Sequence, residues 1–361
     1  MKWAVMMKTE EILQEILDAL DFDSLNTFVS EHLRIKMTFK DLVALISSDG
    51  LSAINAENIC TLMFDSIFYE LSIARPIFLK MLCFAILFSI IQKLIVTKNR
   101  YISDMGFLMI YGTMMILLMQ SFFLVRDMTM EGMNSLLKFL NALIPTYAVT
   151  LVFSGNAVSG AMFYEVAFMM IYFLELLMKN ILSPLIHIFV LVRFLNYLFE
   201  EDKLSKLAEL MEKSVSFILK MSFGTVIGLS VIQSMLTPAK DRLAGNAVLQ
   251  GISSIPGIGN TIGSASELLL SCGLLIKNSI GVVSLIILVA IAMIPILKIG
   301  IFWLFYHLLS AILQPIADKR ITECVAGVAR GCNLYLKIMI DSMLLFFILL
   351  SIISVATSFI F

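Results

Sequence analysis

Apolar positions in this chain gather into runs much longer than the cores of soluble helices need. Pro76–Val96 and Met105–Val125 both reach the roughly 20 apolar residues a helix needs to cross a bilayer core, the second without one charge. From Phe139 to Val192 the only charges are Glu165, Glu175 and Lys179, which leaves length for more than one crossing. Ile181–Phe199 follows, then a charged stretch, Glu200–Lys213, and a further run, Ser214–Leu236, interrupted by Lys220. Leu268–Ala292, Pro295–Ile316 and Ile338–Phe361 complete a set of about eight spans.

The segment ahead of Pro76 has a different pattern. Ile12, Leu13, Ile16, Leu17 and Leu20 fall on one helical face behind Thr9, Glu10 and Glu11, which suit a helix start. Thr38 and Asp41 have capping-box spacing before Leu42, Val43, Leu45 and Ile46. A third helix is expected around Asn55–Ile73. The predicted fold class is therefore all-α. A small amphipathic helical head over 1–75 precedes a polytopic transmembrane helix bundle over 76–361.

Composition supports that division. Hydrophobic residues make up 60% and charged residues 15%, with a mean hydropathy of +0.95. A soluble domain carries about 25% charged residues, so this chain lacks the polar surface to face water throughout, and membrane lipid is its first expected partner. The net charge of -1 conceals an asymmetry: residues 1–75 hold 12 acids and 6 bases. So acidic a head argues against a nucleic-acid partner, which needs a basic patch. Cys60, Cys83, Cys272, Cys324 and Cys332 show no CxxC spacing and read as small buried hydrophobes. Met1–Met7 holds one lysine and no apolar h-region, so no secretory leader is expected there.

Several local patterns recur in order. Gly112-Thr113 with Gln120-Ser121 returns as Gly224-Thr225 with Gln233-Ser234. Ile144-Pro145 with Gly155-Asn156 returns as Ile255-Pro256 with Gly259-Asn260, and Leu176–Asn180 as Leu274–Asn278. Read as a duplication, this gives units of about 76–180 and 184–292 plus a partial third, 295–361. Each unit would cross three times, so neighbouring units would be inverted in the membrane. Loop charge agrees: Lys98 and Arg100 make the first loop basic, Glu200–Lys213 holds five acids and three lysines, and Asp318–Lys337 holds four bases and two acids. By the preference of basic loops for the cytosol, loops one and three would lie inside, with the head and loop two outside. Broken segments in matching positions of inverted repeats point to a transport site. Here these are Ile144–Gly160 and Gly251–Gly263, carrying Pro145, Gly155, Asn156, Pro256, Gly257 and Gly259. The same glycines also serve close helix packing, and both readings stand.

Candidate chemistry is sparse. Gly257, Gly259 and Gly263 imitate a dinucleotide-binding loop, but no βαβ unit surrounds them. His32, His187 and His307 are isolated, without the clustered ligands of a metalloprotease, so no enzyme, metal or cofactor is expected. Charges at membrane depth carry more weight, because they are costly in lipid and face a bundle interior or an aqueous path. Glu165, Glu175, Lys220, Glu267, Lys277, Lys298 and Asp341 are the candidates for lining a cavity or meeting a partner.

The segments Leu143-Ile144-Pro145-Thr146-Tyr147 and Ser154-Gly155-Asn156 resemble the stage III sporulation protein AE family. So do Gly228–Ser234 with Pro238 and Asp241, and Ile255-Pro256-Gly257-Ile258-Gly259. Leu275–Gly281, Pro295-Ile296-Leu297-Lys298 and Gln314–Asp318 continue the likeness, which covers most of 38–361. The resemblance implies a polytopic protein of the mother-cell membrane around the forespore. It would be a structural or conduit subunit of a channel complex, needed for forespore development and late forespore gene expression. Implied partners are membrane proteins of the same operon and a forespore-side protein; a homo-oligomer is compatible with this. The family brings no catalytic residue. Against this stands a stand-alone secondary transporter built on inverted repeats.

Overall fold

The computed structural model describes residues 14–32, 37–49, 72, 75–76, 78–87, 90, 100–153, 165–166, 169–170, 172–174, 176–198, 203–228 and 259–356. Among them every regular element is helical, as the apolar runs predict. The head contributes α1 (Asp23–His32) and α2 (Phe39–Asp49), and a short apolar helix, α3 (Phe78–Leu87), follows. The bundle consists of α4 (Arg100–Phe153), α5 (Ser183–Leu198), α6 (205–228), α7 (Gly259–Leu313) and α8 (Lys319–Ala356). Four stretches are long and apolar enough to cross a membrane: Met105–Leu151, Tyr172–Leu198, Leu274–Leu313 and Lys319–Ser351.

Local chemistry explains several boundaries. The Thr38 hydroxyl accepts from the Asp41 N–H at 3.1 Å and the Asp41 carboxylate accepts from the Thr38 N–H at 3.0 Å, closing the capping box read from the sequence. Asp318 caps α8, its carboxylate accepting from the Arg320 N–H at 2.8 Å. The Asn196 side chain accepts from the Leu204 N–H at 2.7 Å and so holds the turn from α5 to α6. A π-helical segment, Leu176–Leu182, runs directly into α5, whose second residue is Pro184. Proline offers no N–H and crowds the carbonyl four residues back, and a widened turn relieves both.

Contacts between side chains fix the helix directions. Ser121 on α4 hydrogen-bonds Tyr306 on α7, and Gly132 packs on Pro295, so α4 and α7 are antiparallel. Phe122 meets Gly331 and Gly132 meets Met339, so α8 runs parallel to α4. Val190 lies on Gly331 and Ser183 bonds Tyr335, so α5 opposes α8. The most extensive packing joins α7 to α8. The head does not float free: α1 packs on α4 and α2 on α7. Phe28 lies 5.6 Å from Phe139, and the Thr146 hydroxyl donates to the Asp21 carbonyl at 3.0 Å.

Three expectations change. Pro145 and Pro295 do not interrupt their helices; α4 and α7 are single elements of 54 and 55 residues. Each proline removes one hydrogen bond, while packing along the rest of the helix holds it together. Gly259 belongs to α7, and Gly155, Asn156, Pro256 and Gly257 lie outside the described residues. Leu268–Ala292 and Pro295–Ile316 are thus one helix, so the described residues hold four candidate spans where about eight were expected. The inverted arrangement is not confirmed either. The Tyr111 hydroxyl donates to the Phe194 carbonyl at 2.7 Å, and Tyr197 reaches Glu323 at 3.3 Å. The start of α4, the end of α5 and the start of α8 therefore share one end of the bundle. Loop charge suggested otherwise because the acids of α6 are consumed in local pairs, Glu209 with Lys213 at 2.6 Å and Glu212 with Arg193 at 3.9 Å.

Candidate functional site: polar layers inside the bundle

Two polar layers cross the bundle interior. The first lies near the shared loop end. Arg193 of α5 is only 9% exposed, and its stem passes the bare Cα of Gly327 on α8, where a Cβ would lie 3.4 Å from the Arg193 Cβ. Its guanidinium stands 5.5 Å from the Phe189 ring centroid and donates to the Tyr197 hydroxyl at 3.5 Å. Arg330 of α8 donates to the same hydroxyl at 3.3 Å, and Tyr197 donates onward to Glu323. Arg330 also pairs with Glu323 at 3.6 Å. Two guanidiniums thus balance two carboxylates, Glu212 and Glu323, across α5, α6 and α8. Arg193 alone is buried, the other three being half-buried, and this pairing offsets the cost of burying its charge.

The second layer is deeper. The Tyr335 hydroxyl lies 3.2 Å from the Ser183 Oγ and 3.4 Å from His187 Nε2. Phe122 presents its edge to His187 at 5.7 Å and lies 5.5 Å from Tyr335. Ser121 and Tyr306 form a buried hydroxyl pair close by. Hydroxyls paired with each other satisfy their hydrogen bonds without any net charge.

The charges singled out in the sequence are dispersed. Glu165 and Lys220 are exposed, and Lys298 and Asp341 are half-buried. The last two lie within a turn of the contact between Gly132, Pro295 and Met339. Lys277 is fully buried in α7, about 27 Å along the helix from Pro295. Glu267 lies within α7, and Glu175 is outside the described residues. The structure thus gathers a different set: Arg193, Tyr197, Glu212, Glu323 and Arg330. The signal available in the sequence was spacing, with Arg193 and Tyr197 four apart and Glu323 and Arg330 seven apart, each pair on one helix face. No group of three His, Cys, Asp or Glu side chains that could hold a metal ion occurs among the described residues.

Comparison with known proteins sets these layers in context. Residues 37–357 match the family model of stage III sporulation protein AE, a region that holds α2 and all the bundle helices. Stage III sporulation protein AE of Bacillus subtilis (strain 168) is 26% identical over 297 residues, covering 81% of this chain and 74% of that protein. No solved structure matches.

Proposed function

This chain belongs to the stage III sporulation protein AE family, and on that premise we propose that it is a membrane-embedded structural and conduit subunit of a channel complex joining mother cell and forespore. Its place is the mother-cell membrane around the forespore, and its partners are membrane proteins of the same operon and a forespore-side protein.

The observation that carries the structural part is the filled centre of the bundle. Backbones approach so closely at Gly132 and Gly331 that an added Cβ would lie 2.7 Å from Pro295 and 2.5 Å from Val190. Tyr111, Phe122, Tyr306 and Tyr335 fill the space between, each at most 2% exposed. A core this tight suits a framework that holds its shape, and the conduit then runs between subunits. The paired charges of the Arg193 layer serve the same end by fixing α6 against α5 and α8.

The test is deletion of the gene in its spore-forming host, followed in engulfed forespores with a late forespore-specific reporter. Shrunken forespores that leave the reporter silent, with rescue by the intact gene, are the expected result. Normal forespores with normal expression would overturn the channel role.

A further inference from the structure

The exposed face of α4 carries polar side chains at a fixed interval. Thr113, Gln120, Asp127, Asn134 and Asn141 recur every seven residues, and all five are exposed. Glu131 and Lys138 lie one turn beyond Asp127 and Asn134 on the same face and are exposed too. The polar groups that α4 buries are satisfied locally, Thr129 on the Val125 carbonyl at 2.8 Å and Thr150 on the Tyr147 carbonyl at 2.7 Å. On the exposed stripe the Thr113 hydroxyl donates to the Met109 carbonyl at 2.9 Å. The side chains of Gln120, Asn134 and Asn141 have no hydrogen-bond partner among the described residues.

The apolar stretch that holds these residues, Met105–Leu151, is 47 residues long, about 70 Å of helix. A hydrocarbon core of about 30 Å takes in about 20 residues, and any such window on this stretch includes at least two of the five. Polar exposure at membrane depth therefore follows wherever the bilayer sits. The other flank of the bundle differs. Phe122 and Val190 both meet Gly331, so Ile188 of the antiparallel α5 and Ile181 of the π-helical segment before it stand level with the middle of the stripe. Both are exposed, as are Phe217 and Met221 of α6. Lys220 and Lys337 are exposed as well, but each is single and long enough to carry its charge towards an interface. The short side chains of Asp127, Asn134 and Asn141 cannot do so, and lipid against them is costly.

A seven-residue repeat is the mark of a helix that meets another helix of the same repeat. Here that neighbour is α4 of a second copy. Copies in one bilayer share one orientation, so identical residues meet at the same depth. Asp127 then decides how closely they stand: like carboxylates repel across a dry seam, whereas around water they stay hydrated. We infer that copies of this chain form a ring with the exposed stripe of α4 turned inward, so that Thr113, Gln120, Asp127, Asn134 and Asn141 make successive polar rings around an aqueous conduit. This rests on the conduit reading above and assigns its wall. Asp127 and Glu131 give two neighbouring acidic rings, which favour hydrated cations over anions.

The test uses the full chain in membranes from sporulating cells of its host, with Cys60 and Cys83 replaced by serine; the three remaining cysteines are buried. Single cysteines Q120C, N134C and N141C are compared with I181C, I188C and M221C for reaction with trimethylammonium-ethyl methanethiosulfonate. The stripe positions should react several-fold faster than the other three, and a bis-methanethiosulfonate should join N134C chains to one another but not M221C chains. Slow reaction at all six positions, or equally fast reaction at all six, would overturn the inference. Fast reaction on the stripe without chain-to-chain cross-linking would overturn the ring of copies. None of these outcomes bears on the channel role, which the gene deletion tests separately. Should the cysteine variants accumulate poorly, tryptophan reads the same property. N134W should lower late reporter expression several-fold while I188W leaves it unchanged, and equal output from the two, in a host where the deletion silences the reporter, would sink the inference.

Discussion

A Cβ on Gly132 of α4 would lie 2.7 Å from Cγ and 2.8 Å from Cβ of Pro295 on α7. The proline ring is tied to the backbone and cannot swing aside, so the two helices meet at a contact that only glycine allows. Gly132→Ala gains about 1 kcal/mol in helix propensity. It must still shift a helix, and we expect a net loss of about 1–3 kcal/mol in denaturant unfolding of the detergent-solubilised protein. Pro295→Ala removes the obstacle, so the double variant should recover most of the loss. A loss unchanged by Pro295→Ala would show that the contact is not the cause.

The other glycines should divide by what surrounds them. Gly331→Ala drives a Cβ to 2.5 Å from Val190 Cγ2 and 2.8 Å from Phe122 Cε2, whereas nothing lies within 4 Å at Gly224 or Gly300. Gly331→Ala should therefore lower the melting temperature, while Gly224→Ala and Gly300→Ala leave it unchanged or raise stability by up to about 1 kcal/mol. Three equal effects would contradict the packing described.

Arg193 should be intolerant of replacement, even by lysine. Arg193→Met takes a donor from Tyr197 and the counter-charge from Glu212, whose side chain is 33% exposed. The expected cost is about 1–3 kcal/mol, below that of a fully buried pair. Arg193→Lys keeps the charge but loses the guanidinium placed over the Phe189 ring, and should restore little. Comparison of the three proteins by thermal unfolding decides this.

The head should loosen in acid. Hydrogen bonds from the Thr38 hydroxyl and N–H hold the Asp41 carboxyl below the usual carboxylate range. A depressed folded-state pKa contributes stability that is present above the unfolded value and disappears as pH falls through the folded one. Hydrogen exchange over 37–49 should therefore accelerate in acid beyond its intrinsic rate, and Asp41→Asn should remove most of that pH dependence. Thr38→Ala should cost about 1 kcal/mol near neutral pH.

Thr146 ties the head to the bundle through the Asp21 carbonyl. Thr146→Val keeps the shape and removes the donor, for an expected loss of about 0.5–1.5 kcal/mol. Exchange should rise over 14–32 and stay unchanged in α8; equal protection in both proteins would mean that this bond contributes nothing to docking.

The sequence by itself determined what local chemistry and hydropathy can specify. Helices, membrane class and the Thr38–Asp41 cap follow from apolar run length, capping geometry and charge content, all properties of neighbours along the chain. Tertiary structure decided which apolar residues are buried in protein and which stay exposed. Ser279–Trp303 is buried or half-buried throughout, which hydropathy could not foretell because it scores an apolar side chain alike whether its surroundings are acyl chains or α4 and α8. Pro145 and Pro295 suggested breaks because proline destabilises an isolated helix, and packing along the rest of each helix restores continuity. The Arg193 layer unites α5, α6 and α8 across more than a hundred residues of chain, a convergence that spacing within one helix cannot reveal. Charge in a loop shows what a side chain carries, whereas the partner that neutralises it is set by where the helices meet.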